Sequence, residues 1–215
     1  MENYLRSTYY LDADHEAVRD FAARYTLAES SDKEKAIALF YAVRDSIRYN
    51  PYQSILRPEY LKASHQAGKS EGYCVEKSNL YAAAARAVGI PSRLGFANVR
   101  NHLGTSRLEA VLGTDLLVFH GYAELYLGDK WVKVTPVFDA ALCNKLGVPP
   151  LEFDAETDCF FQESDKNGQP FMEYVDDHGV FDDLPFDKFV ENLRLHYPHL
   201  FITRKISGDM TIDWL

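Results

Sequence analysis

The sequence predicts an α+β fold in which a buried helix, carrying Cys74 at its N-terminus, packs on an antiparallel sheet. Three observations predict it. Helical and strand-like hydrophobic periods alternate along one chain of 215 residues, the pattern of a mixed domain. The run Leu80 to Val88 behind Cys74 is apolar all round and stops at Gly89-Ile90-Pro91, so that helix is buried on several sides. Beyond it, extended stretches flank Gly128-Asp129, a turn with hairpin character that makes neighbouring strands antiparallel.

The elements follow in order. Asp14 to Arg24 is a short helix with Val18, Phe21 and Ala22 on one face and Asp12 or Asp14 as cap. Ser31-Asp32-Lys33-Glu34 is a capping-box pattern. The helix it opens presents Ala36, Ile37, Leu39, Phe40, Val43 and Ile47 and runs to about Arg48. Pro51 and Pro58 make Tyr49 to Tyr60 a loop. Gly89 suits the left-handed position just past the Cys74 helix, and Pro91 prevents a restart. Ser92 to Val99 is a strand, Leu116 to Leu127 a second extended stretch and Lys130 to Thr135 its return. Ala140 to Leu146 is a short helix capped by Asp139, Pro149 to Asp177 is irregular with aromatic strand fragments, and Pro185 to Leu195 is a final helix.

No repeat, low-complexity tract or linker divides the chain, so residues 1–215 are expected to form a single domain. A net charge of -9 and a pI near 5.2 argue against a nucleic-acid partner. The opening Met1 to Arg6 lacks a basic segment followed by an apolar one, so no signal peptide is expected. No stretch approaches the roughly 18 apolar residues of a membrane span. Cys74, Cys143 and Cys159 are an odd, widely spaced set, which fits a reducing compartment and a cytoplasmic protein. No cofactor or metal is expected. There is no glycine-rich phosphate loop, and Pro198 interrupts the alignment of His196 and His199 that a zinc pair would need.

Cys74 is the leading chemical candidate. The free N–H groups and positive dipole end of a helix favour a thiolate over a thiol, and the thiolate is the nucleophile. The competing role is that of a small buried hydrophobe. A cysteine nucleophile needs a base, and His120 fits because it lies in an otherwise apolar stretch, Leu116 to Phe119, at the start of the hairpin. Its competing role is a core histidine bonded to backbone. The Cys74 N–H is the natural first oxyanion donor, with Tyr52, Gln53 or Gln66 as a second.

The order of these pieces resembles the transglutaminase-like core, a member of the papain-like cysteine-nucleophile group. The matching segments are Gly72-Tyr73-Cys74, Ala87 to Arg93, His120 to Tyr126 and Lys130 to Val134, together covering about residues 37–139. Val99 to Leu103 and Met172-Glu173-Tyr174 are similar to a bacterial subgroup of that superfamily. The resemblance implies a Cys-His-Asp triad with Cys74 as nucleophile and His120 as base. It departs at the third member. Where the superfamily places an acid, four residues after Trp131, this chain has Thr135. Asp139, four residues further on, is the alternative orienter of His120, and it is also the expected cap of the next helix.

The resulting expectation is an acyl-transfer enzyme that takes a peptide or protein amide through a thioester. Hydrolysis is preferred over transamidation because water needs no second binding site. The alternatives are a catalytically inactive binding or scaffold protein, favoured by Thr135, and a redox-sensing thiol.

Overall fold

The structure is a computed structural model describing residues 1–53, 56–103 and 106–202. Its elements are α1 (Glu16–Tyr25), α2 (Asp32–Ser46), β1 (Arg48–Tyr49), α3 (Ala63–Ala67), β2 (Glu71–Gly72), α4 (Cys74–Ala87), β3 (Ser92–Asn101), α5 (Ser106–Leu112), β4 (Leu116–Leu127), β5 (Lys130–Val134), α6 (Ala140–Leu146), β6 (Met172–Phe181), α7 (Phe186–His196) and α8 (Pro198–Ile202). Strands β5-β4-β3-β6 form an antiparallel sheet in that order, and β1 and β2 form a short parallel pair. Among the described residues no helix is long and apolar enough to cross a membrane.

Helix α4 is the centre of the fold. Every residue from Cys74 to Arg86 is buried, because α1, α2 and α3 as well as β3 and β4 pack on it. Several of its polar side chains find backbone partners in the surrounding segments. Lys77 Nζ donates to the Arg44 and Ile47 carbonyls at 3.0 and 2.6 Å, closing the C-terminus of α2. Asn79 Nδ2 donates to Leu61 O at 2.8 Å and Tyr81 Oη to Ala36 O at 3.0 Å. The helix ends as its sequence predicts. Gly89 has a φ of +87°, its N–H reaches Arg86 O and that of Ile90 reaches Ala85 O, a paired motif that satisfies the last carbonyls.

The capping box of α2 is present, with Glu34 Oε2 accepting from Ser31 N at 2.8 Å. At α1 the cap is His15, whose Nδ1 accepts from Ala17 N at 3.2 Å. The expected caps are engaged elsewhere, Asp12 with Ser64 and Asp14 with Ser7. The β4–β5 hairpin turns on Gly128 and Asp129, both at positive φ, the two-residue geometry whose twist matches the strands it joins. Two departures from the sequence reading stand out. Tyr49 leaves the expected loop to pair with Gly72. Residues 172–181, partly assigned to irregular structure, form the edge strand β6 on β3.

Candidate active site

Cys74 is the first residue of α4 and is 8% exposed. The chain reaches it through the β1–β2 pair, which sets Tyr49 beside Gly72. Glu76 Oε2 accepts from Tyr73 N at 3.1 Å, tying down the first turn, and Lys69 Nζ lies 3.7 Å from Glu76 Oε1.

His120 lies on β4 directly after a break in its ladder with β3. The register runs from Ala97↔His120 to Val99↔Leu117, so Val118 and Phe119 oppose Asn98 alone. Phe119 has a φ of +57°, a left-handed conformation costing about 1–2 kcal/mol in a non-glycine residue. Two groups hold it there. Asn98 Oδ1 accepts from Phe119 N at 2.9 Å, and the Phe96 ring stacks on Phe119 with centroids 4.6 Å apart. Bulges break the strict alternation of a strand and re-aim its side chains. As a result Leu117, Val118, Phe119 and His120 all line one pocket.

That pocket also contains Cys74. Its remaining walls are Tyr49, Pro51, Leu56, Tyr73, Leu108, Leu112, Phe189, Leu193 and Tyr197, an almost wholly apolar lining. Strand and helix start meet through Gly121. A Cβ there would lie 3.2 Å from Val75 Cα and 3.5 Å from Cys74 O, so a side chain at this position would push the two backbones apart by a few tenths of an ångström.

The electrostatics differ from the sequence reading. Burial pushes the Cys74 thiol up to about 11, although the backbone N–H groups of Gly121 and Val75 pull it partly back. Burial alone pushes His120 down to about 4. The helix terminus favours the thiolate, but desolvation of the buried sulfur outweighs it. Burial thus favours the neutral form of both the thiol and the imidazole.

The two candidates for the third position are both buried but differently engaged. Asp139 caps α6, its Oδ1 accepting from Leu142 N at 2.9 Å, while Oδ2 accepts from Tyr49 N at 2.9 Å. Both oxygens thus serve backbone, and burial is the sole cause of the His120 shift, with no carboxylate contribution. Thr135 Oγ1 and His120 Nε2 are both buried without a protein partner. Of the proposed oxyanion donors, Gln66 points its Nε2 at Glu71 O (3.0 Å). Tyr52 stacks under Arg107, and the Gln53 side chain is outside the described residues. Sequence reasoning missed the pocket phenols. Tyr73 Oη is buried without a protein partner beside Cys74. Tyr197 Oη donates to Leu116 O at 2.6 Å and accepts from Val118 N at 2.8 Å, tying the segment after α7 to β4.

Fold and site define a class of α+β protein in which a cysteine at a helix N-terminus and a histidine on the adjoining sheet line one pocket. The family model of the transglutaminase-like superfamily matches residues 19–136, more than half of the chain, and the chain belongs to that superfamily. Among solved structures it is similar to a candidate cysteine protease from Cytophaga hutchinsonii, at 16% sequence identity and a TM-score of 0.52. The match covers 86% of this chain and 48% of that one, so the chain spans about half the length of this relative. At that identity the likeness is one of fold. No curated protein matches the sequence.

Proposed function

We propose that the protein is a cysteine-nucleophile acyl-transfer enzyme that cleaves amide or peptide bonds through a thioester, with hydrolysis as the outcome. The observation that carries this reading is the shared lining of one apolar pocket by Cys74 and His120. Because burial favours the neutral form of both groups, the proton moves as the sulfur attacks. His120 takes it from Cys74 while the S–C bond forms and the carbonyl oxygen becomes an oxyanion. The Cys74 N–H, free at the helix start, is a donor for that oxyanion, and the Tyr73 O–H is a second. His120 then gives the proton to the departing amine. Water, deprotonated by His120, attacks the thioester and releases the acid and the thiol. Asp139 supports this site indirectly, by holding Tyr49 in the pocket wall.

The apolar lining names the substrate side. An acyl group with a bulky apolar side chain fits walls built from Leu108, Leu112, Val118 and Leu193, whereas a charged one would be desolvated without a partner. The second reading, a binding or scaffold protein without turnover, is favoured by the raised thiol and by Thr135 in place of an acid.

Iodoacetamide alkylation of the wild type, Cys74→Ala and His120→Ala, followed from pH 5 to 10, tests the assignment. The enzyme reading expects labelling at Cys74 that at any one pH is at least tenfold slower in His120→Ala, because the imidazole takes the thiol proton as the S–C bond forms. Equal rates in wild type and His120→Ala would leave the scaffold or redox reading.

A further inference from the structure

Three buried polar atoms without a protein partner belong to residues around one small cavity behind His120. They are His120 Nε2, Thr135 Oγ1 and Gln162 Oε1, and their residues are only 5%, 4% and 6% exposed. The cavity is lined by all three together with apolar side chains, among them Val99, Phe138 and Met172. Its volume is about 10 Å³, the scale of a single water molecule. A buried polar atom without a partner is costly, and three at one void are rarely left so.

Gln162 gives this group a direction. Its Nε2 donates to Pro149 O at 3.0 Å and lies 3.5 Å from Cys143 Sγ. A proline carbonyl only accepts, so the amide nitrogen is fixed on that side and the oxygen is left for the cavity. Gln162 therefore ends any hydrogen-bonded chain there as an acceptor. Thr135 and a water each pass the polarity on, since each both donates and accepts.

Resting on the enzyme reading above, we infer that Thr135 and Gln162, bridged by one buried water, are the positioning residues for His120 and hold it as the Nε2–H tautomer. His120 Nε2–H donates into the cavity and the chain ends at Gln162 Oε1. The Nδ1 lone pair is then left to take the Cys74 proton. The superfamily's acid is replaced by a neutral acceptor that sets tautomer and ring orientation without adding charge. No charged side chain lines this cavity. The titratable groups sharing the larger pocket with His120 are Cys74, Tyr49, Tyr73 and Tyr197.

The test is a ¹⁵N-histidine NMR titration of the full chain, with the His120 signals assigned by their loss in His120→Gln. The wild type is expected to show a protonated Nε2 and an unprotonated Nδ1 at pH 7. Gln162→Glu, which supplies the missing charge, is expected to raise the His120 titration midpoint by at least one pH unit. Thr135→Val interrupts the chain without burying a charge and is expected to mix the two tautomers, which keeps the test available should Gln162→Glu not fold. An Nδ1–H tautomer in the wild type overturns the inference, as do His120 shifts and midpoint unmoved in both variants. Cys74 alkylation on the same samples separates the two claims. Labelling indifferent to His120 contradicts the enzyme reading while the tautomer result still judges this one.

Discussion

Gly121 lies against the backbone of Val75 so closely that a Cβ on it would come within 3.2 Å of Val75 Cα. This contact joins the strand of His120 to the helix start of Cys74. Gly121→Ala is expected to push the two apart by a few tenths of an ångström or more. Misplacing reacting groups by about 1 Å costs on the order of 100-fold in rate. A tenfold to hundredfold loss in kcat/KM is therefore expected, with a urea midpoint that moves far less. Steady-state kinetics on an ester of an apolar acid, alongside urea unfolding, checks it.

Asn98 is the second device that aims His120. Its side-chain oxygen accepts from the strained Phe119 N–H and also lies 2.9 Å from His178 Nε2. Asn98→Ala leaves that buried N–H unsatisfied, an effect of about 1–3 kcal/mol. Activity is expected to fall with stability, and Asn98→Asp, which keeps the acceptor, is expected to recover part of both. Recovery of neither would argue against the clamp.

Asp139 separates a cap from a triad member. Asp139→Asn keeps an oxygen for the Leu142 N–H at the start of α6 but sets an amide nitrogen against the Tyr49 N–H, so kcat/KM is expected to fall by no more than about tenfold. Asp139→Ala loses the cap, worth about 1 kcal/mol, and the Tyr49 contact with it. A loss of several orders of magnitude in Asp139→Asn would return Asp139 to the triad.

His120 also sets a pH dependence. Its folded value is lowered to about 4 from 6.5, so between those values the unfolded chain binds the extra proton. Its contribution to stability is complete above pH 6.5 and is lost as pH falls towards 4, by about 3 kcal/mol. Glu76, raised by burial to about 7 from 4.5, works in the opposite sense over much of the same range. The informative quantity is thus the difference between wild type and His120→Gln. The stability advantage of His120→Gln is expected to grow as pH falls from 7 to 4.5 in urea titrations. A difference independent of pH would contradict the buried neutral imidazole.

Much of the scaffold was legible because its signals are local. The stop at Gly89, the Ser31–Glu34 box and the Gly128-Asp129 turn each depend on a few adjacent residues. Cys74 and His120 were legible as a polar residue at a helix start and one in an apolar strand. What was not legible is tertiary. Strand β6 is mostly exposed and carries Glu173, Asp176 and Asp177, so its pairing comes from β3 and not from its own pattern. The left-handed turn at Phe119 arises from a register break between two strands. The direction of the Cys74 shift follows from enclosure by residues as distant as Leu56 and Tyr197. Gln162 sits in an irregular segment, and nothing near it in sequence marks it as lining a cavity with His120.

The central claim is that Cys74 forms an acyl-enzyme with the help of His120. The most direct measurement is intact-mass and peptide-mapping mass spectrometry after acid quench, milliseconds to minutes after mixing with p-nitrophenyl hexanoate. The expected result is a transient hexanoyl adduct on Cys74 that forms and decays in the wild type. It is absent in Cys74→Ala and forms at least tenfold more slowly in His120→Ala. An unmodified Cys74, or an adduct that builds up equally fast without His120, would contradict the account.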